Sequence, residues 1–406
     1  MDFTDRFAGW SAIAVLVLAS AAMLAGAALC PAETKRSRVF LIAAAIAAIG
    51  LCGRPLFEDD HYRYLWDGYR TATAGSPYGA APERFEFDDS VPERFRGILD
   101  FVNNPEVPTI YGPVLEGGFY LGYLVAPGHE RALRLIWALA ALAMTGMLLR
   151  HFSARDVALF AWNPLLLKET YLSGHPDILV AVLLCGGWLL ACRKPGMRFA
   201  WTLGLAAATK IAALAAGPLL LLAERRLRVF AAAGAAFLIP YAPFLLAGGI
   251  ASDGAGLSVF AQRWLFNPSP LYLAANAVLG GEGARLALGL AGAALALWLL
   301  CRRSALDTQT LPPFHLLFGA VLLVSPVVNG WYLLWGLPAA VGRRLVWPWI
   351  ASAALMLSYA RGEVLEAAWL DPFALHPAAY AVEWSAIALA LAWDGWRAWR
   401  STSAGR

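Results

Sequence analysis

VFLIAAAIAAIGLCG (residues 39–53), followed after Arg54-Pro55-Leu56 by FEDDHYRYLWDG (residues 57–68), is the passage on which the reading of this chain turns. Its first half is an apolar run that reads as a membrane-crossing helix. Its second half opens the longest polar segment of the protein. Glu58, Asp59, Asp60, His61, Arg63 and Asp67 stand there beside Tyr62, Tyr64 and Trp66. Carboxylates at the edge of a membrane are costly to keep, so the cluster points to a reaction site. The plainer reading is an interfacial belt, with the aromatic rings at headgroup level and the acids in water.

The composition outside this passage agrees with a membrane setting. The chain has 406 residues, 60% of them hydrophobic and 15% charged, with a mean hydropathy of +0.58. A soluble domain carries about 25% charged residues. Repeated long apolar runs indicate an all-α polytopic membrane protein, and the ten-residue alternation of an outer-membrane barrel is absent. The first run, residues 10–29, lacks a basic flank of the secretory kind and is read as a retained helix. The net charge of +4 comes mainly from arginine, and no basic run suggests nucleic acid. The cysteines Cys30, Cys52, Cys185, Cys192 and Cys301 lie in or beside apolar runs without metal-ligand spacing, so they read as small core residues.

Apolar runs at 10–30, 39–54, 131–149, 156–168, 177–192, 229–247, 284–301, 312–328, 331–342, 345–360 and 378–396 predict about eleven transmembrane helices in a single domain spanning 1–406. Arg36, Arg150, Arg193, Lys194, Arg225, Arg302, Arg303, Arg343, Arg397 and Arg406 collect in alternate loops, which places those loops in the cytoplasm. That pattern requires residues 199–223 to form a re-entrant hairpin with Thr209-Lys210 at its tip. It also requires 113–126 to lie in the outer interface. The segment 55–130 then becomes a large periplasmic loop with interfacial helices, and loops 168–176, 250–283, 325–330 and 361–377 share its side.

DDHYRYLWDG (59–68), SPYG (76–79) and NNPEVPTIYGP (103–113) follow one another in that loop. AWNPLLLKETYLSGHPDIL (161–179), AAATKIAAL (206–214), the segment from Phe260 to Asn267 and LVSPVVNGWYLLWGLP (323–338) come later. Together they resemble the GT-C glycosyltransferases of bacteria, in their mannosyltransferase-like branch. These are multi-span enzymes that use polyprenyl-phosphate sugars. Two positions depart from the family pattern: Gly112 stands where proline is common, and Asn329-Gly330 where His-Pro is common. Both bear on the acceptor side.

The resemblance implies an inverting hexosyltransferase of the bacterial inner membrane. It would move mannose or a related hexose from a polyprenyl-phosphate donor to a lipid- or glycan-linked acceptor, with its site facing the periplasm. The family's base falls on Asp59, with Asp60 as positioning group or alternative base. Lys210 falls where the family suggests contact with the lipid phosphate.

The residue chemistry is compatible with those roles. Sugar transfer needs a base for the acceptor hydroxyl and cations for the departing phosphate. Lys210 in an apolar run implies an anionic partner or a side chain snorkelling to water. Arg263 suits bidentate phosphate contact. Arg63, one helical turn beyond the acids, is an orienting ion pair or a phosphate contact, and Asp67 extends the same face. Glu169, His175 and Asp177 are candidate sugar-binding residues, and His175-Pro176-Asp177 alternatively offers ligands to a divalent metal ion. Asn329, Trp331 and Tyr332 are candidates for stacking on or bonding to a sugar. A transporter or flippase of lipid-linked sugars is the rival class, but it predicts inverted repeats and mid-span ionisable residues. The chain shows no repeat, and its acids gather on one side.

Overall fold

The computed structural model describes residues 9–191, 196–223, 226–247, 253–301 and 311–403. Arg193, Lys194, Arg225, Arg302, Arg303, Arg406 and Cys192, on which part of the sequence reading rests, lie outside the described residues. The regular secondary structure of the described chain is all helical, and its only β-type contacts are the isolated bridges Phe266–Val327 and Arg361–Leu375.

Among the described residues, four helices are long and apolar enough to cross a membrane: Trp10–Ala28, Glu130–His151, Leu227–Leu246 and Pro270–Leu299. Most other apolar runs are shorter or broken, while 378–396 lies in the unbroken 27-residue helix Pro377–Ser403. Arg36–Cys52 is a 17-residue helix. The run at 156–168 stops as a helix at Ala161, before Asn163-Pro164, and resumes as a π-helix at Leu166–Leu172. Residues 330–340 wind as two 3-10 segments interrupted before Pro338. Proline removes a helix donor and clashes with the preceding turn, so apolar character alone does not sustain a full span there. Residues 199–223 likewise divide, at Thr209-Lys210, into the helix Met197–Ala207, the 3-10 segment Ile211–Ala216 and the helix Pro218–Ala223.

The segment 55–130 contains the helices Asp60–Ala74, Glu93–Leu99 and Pro113–Val125, with a 3-10 turn at Pro82–Phe85. Asp60–Ala74 and Pro113–Val125 pack closely. A Cβ on Gly68 would stand 2.5 Å from the Phe119 carbonyl oxygen, so only glycine permits that approach. Tyr64 stacks on Phe119 with centroids 4.7 Å apart, an aromatic contact that adds to the burial of both rings.

Arg134 ties this loop to the helices beneath it. It is fully buried in Glu130–His151. Its Nη1 donates to the carbonyls of Gly53 at 3.1 Å and of Gly50, Tyr171 and Leu172 at 3.4 Å, while Nη2 meets Glu130 Oε1 at 3.1 Å. A guanidinium thus meets carbonyls at the C-terminal end of Arg36–Cys52, where the helix dipole also favours a cation. The anchored turn feeds directly into Glu58-Asp59-Asp60.

Candidate functional site

A cavity of about 440 Å³ opens between the 55–130 segment, the helix break at Lys210, the segment 260–266 and the stretch 329–332. Glu58, Asp59 and Asp60 line one part of it, and Arg63, Lys210, Arg263 and Arg361 line others. Its position is set by breaks in helices, where backbone and side chains turn inward together.

Asp59 sits at the N-cap position of Asp60–Ala74, and Asp60 is in the first turn. Asn103 Nδ2 donates to Asp59 Oδ1 at 2.7 Å and to Asp60 Oδ1 at 2.9 Å, which clamps the two carboxylates side by side. Burial and the neighbouring charge of Asp60 push the Asp59 carboxyl above its usual range, with Asn103 opposing the shift. Glu58 is pushed up to about 8, chiefly by burial, against the pull of Lys168 and Arg361. The site therefore joins a carboxyl that holds its proton at neutral pH to an adjacent pair of acids, an arrangement suited to proton transfer.

His175 lies beneath the pair. Its Nδ1 is 3.0 Å from the Tyr64 hydroxyl and 3.7 Å from Asp60 Oδ2, and its Nε2 is 3.6 Å from Glu169 Oε2. The imidazole stacks on Trp331 with centroids 3.7 Å apart. Burial, with Lys168 and Lys210 nearby, holds its pKa well below the ordinary histidine value. Glu169 is fully enclosed. It accepts from Lys168 Nζ at 3.2 Å and from the Tyr359 hydroxyl at 2.8 Å, and the same ammonium lies 3.4 Å over the Tyr359 ring.

Lys210 marks the helix break as expected, but its ammonium is paired. Nζ lies 3.0 Å from Asp177 Oδ1 and 3.2 Å from Oδ2, and Trp335 Nε1 donates to Oδ1 at 2.6 Å. The Tyr332, Trp335 and Tyr111 rings stand 5.2, 5.8 and 5.9 Å from the same nitrogen. Arg63 turns to Asp67, with Nε 3.3 Å from Oδ1, and to the Val107 carbonyl at 2.6 Å. No ion pair joins it to Asp59 or Asp60 among the described residues. Arg263 is exposed where it lines the cavity, and Asn329, Trp331 and Tyr332 line it too. Gly112 is explained by contact: a Cβ there would collide with the Ala208 carbonyl and stand 2.8 Å from the Thr209 carbonyl oxygen, at the helix break.

Asp177 spends its carboxylate on Lys210 and Trp335, so it does not join His175 as a metal ligand. Glu58, Asp60 and His175 offer one ligand atom each within 4.8 Å of one another. Once Glu58 gives up its proton, two carboxylates and an imidazole would make a partial shell for a divalent cation.

Glu58 and Tyr64 stood in the acidic cluster without an assigned role, and Asn103, Lys168, Tyr359 and Arg361 were not singled out from the sequence as site residues. Lys168-Glu169 did carry a signal, a charged pair directly after an apolar run and a helix-breaking Asn-Pro. Tyr359 and Arg361 carried only their place at the end of a run.

The chain matches no protein-family model, no curated protein and no solved structure. The class that the structure supports is an all-helical protein with several helices of membrane-crossing character.

Proposed function

We propose that the chain is an inverting hexosyltransferase of GT-C-like fold, set in a bacterial inner membrane with its site on the periplasmic face. It takes mannose or a related hexose from a polyprenyl-phosphate donor and places it on a lipid- or glycan-linked acceptor. The observation that carries this reading is one cavity lined both by the Asn103-clamped acids Asp59 and Asp60 and by Lys210, Arg263 and Arg361.

Each part has a task in a single displacement. Asp59 takes the proton of the acceptor hydroxyl, with Asp60 and Asn103 fixing its orientation. The acceptor oxygen bonds to the anomeric carbon as the bond from that carbon to the phosphate oxygen breaks. The polyprenyl phosphate leaves with the bonding electron pair, and the cations stabilise its charge. Trp331 and Tyr332 supply aromatic surface for the sugar, and Asn329 supplies polar contact.

The test is incubation of purified protein with a panel of synthetic polyprenyl-phosphate hexoses and candidate acceptors, with products read by mass spectrometry. Asp59→Asn should lower turnover by roughly 10²–10⁴-fold, the range of general-base catalysis, while Asp60→Asn keeps measurable turnover. Parent-like turnover in Asp59→Asn would refute the base. Failure of the parent to consume any donor would refute the transferase.

A further inference from the structure

Two of the cations on the cavity wall are already engaged: Arg63 with Asp67 and the Val107 carbonyl, and Lys210 with Asp177. Arg361 differs. It is 9% exposed and lines the cavity, yet only one hydrogen bond of its guanidinium is made among the described residues, from Nη2 to the Phe57 carbonyl at 2.8 Å. Glu58 Oε1 is 3.9 Å from Nη1 and Glu363 Oε2 is 3.6 Å from Nη2, too far for hydrogen bonds. Nε is buried without a partner. A guanidinium carries five N–H donors in a rigid plane, and a buried donor left unpaired is unfavourable.

The pose of Arg361 is held from both sides. The Arg361–Leu375 bridge, with Gly362 N donating to the Ala374 carbonyl at 3.1 Å and His376 N to the Ala360 carbonyl at 2.8 Å, fixes its backbone. The Phe373 ring, also on the cavity, lies 5.7 Å from Cζ. Its one hydrogen bond goes to Phe57, which has a left-handed backbone at φ 61° two residues before Asp59. An anion held by this guanidinium would therefore be joined to the acidic segment through a single side chain.

We propose that Arg361 is the phosphate seat of the cavity, receiving a phosphate oxygen of the lipid-linked donor on the unspent N–H groups of Nη1 and Nη2. This rests on the transferase reading and singles out Arg361, among the cations of that cavity, as the one that takes the phosphate directly. Planar guanidinium donors match the spacing of phosphate oxygens. The nearest competitor is Glu363, whose side chain is 58% exposed and can turn to water when phosphate arrives. Glu58, Asp59 and Asp60 limit how far the phosphate can move toward the acids.

The full chain in phosphatidylcholine nanodiscs tests the proposal by thermal melting against added undecaprenyl phosphate, undecaprenol, phosphatidylglycerol or inorganic pyrophosphate. A ligand raises the melting point only through its affinity for the folded state. The parent should be stabilised by undecaprenyl phosphate and not by undecaprenol. Arg361→Gln should weaken that affinity at least tenfold. Glu363→Gln, which leaves Arg361 in place, should tighten it severalfold, and this arm decides the matter if Arg361→Gln does not fold. Pyrophosphate should compete for the seat. A parent without any undecaprenyl phosphate shift would overturn the donor reading and the seat with it. A parent shift that both variants keep unchanged would overturn the seat alone. An equal shift with phosphatidylglycerol would make the occupant a bilayer headgroup and overturn the donor assignment.

Discussion

Lys210→Met should destabilise the empty protein, because Lys210 neutralises a carboxylate that is enclosed. The Asp177 side chain is 0% exposed and the Lys210 side chain 18%. Removing the ammonium leaves Asp177 with Trp335 Nε1 as its remaining side-chain donor. Breaking a buried pair from one side costs about 3–5 kcal/mol. The partly wetted lysine puts the expected loss at the lower end, about 3 kcal/mol. Asp177→Asn is the milder change. The ammonium keeps the Tyr332, Trp335 and Tyr111 rings within 6 Å and has access to the cavity, so about 1 kcal/mol is expected. The double variant removes both charges and should behave like Asp177→Asn, which makes the cycle non-additive by about 3 kcal/mol. Melting curves of the parent, the two single variants and the double variant in one detergent make the measurement. Lys210→Met should melt lowest, and the double variant should recover most of the loss. A Lys210→Met protein as stable as the parent, or losses that simply add, would refute the pairing and return Lys210 to a side chain reaching for water.

Further outcomes follow from the loop and its acids. With the native cysteines replaced by alanine, Ser90→Cys should react with an impermeant thiol reagent from the periplasm and Ser401→Cys should not; reversed labelling would put the acidic loop in the cytosol. Gly112→Ala should cost about 1–3 kcal/mol through overpacking against the Ala208 and Thr209 carbonyls, and an unchanged melting point would show that the helix break yields. Glu58 has a folded pKa of about 8 against an ordinary 4.5, so the folded state keeps a proton that the unfolded chain loses. Its contribution to stability therefore falls as pH rises from about 4.5 to about 8 and levels off above that. Glu58→Gln should flatten this decline, and identical pH dependence of melting in variant and parent would contradict it.

The sequence by itself determined what depends on near neighbours. Apolar content and run length set the helical, membrane-compatible character, because a helix satisfies its own backbone and its periodicity is local. Asp59 and Asp60 are together because they are bonded in series, and Asn163-Pro164 marks a helix break readable from residue type, whereas the break at Thr209-Lys210 came from the loop-charge pattern and the family resemblance. Run length nevertheless overstated the regularity of the helices, since 330–340 and 355–359 wind as 3-10 segments that hydropathy does not distinguish from a span. The tertiary structure alone decided which charges are spent and which are left over. Lys210 meets Asp177 across 33 residues, Asn103 clamps Asp60 across 43, Tyr359 reaches Glu169 across 190, and Arg361 reaches Phe57 across 304. Neither propensity nor periodicity reaches over such separations. A buried charge takes the partner that packing brings within hydrogen-bond distance, and that geometry exists only once the helices have come together.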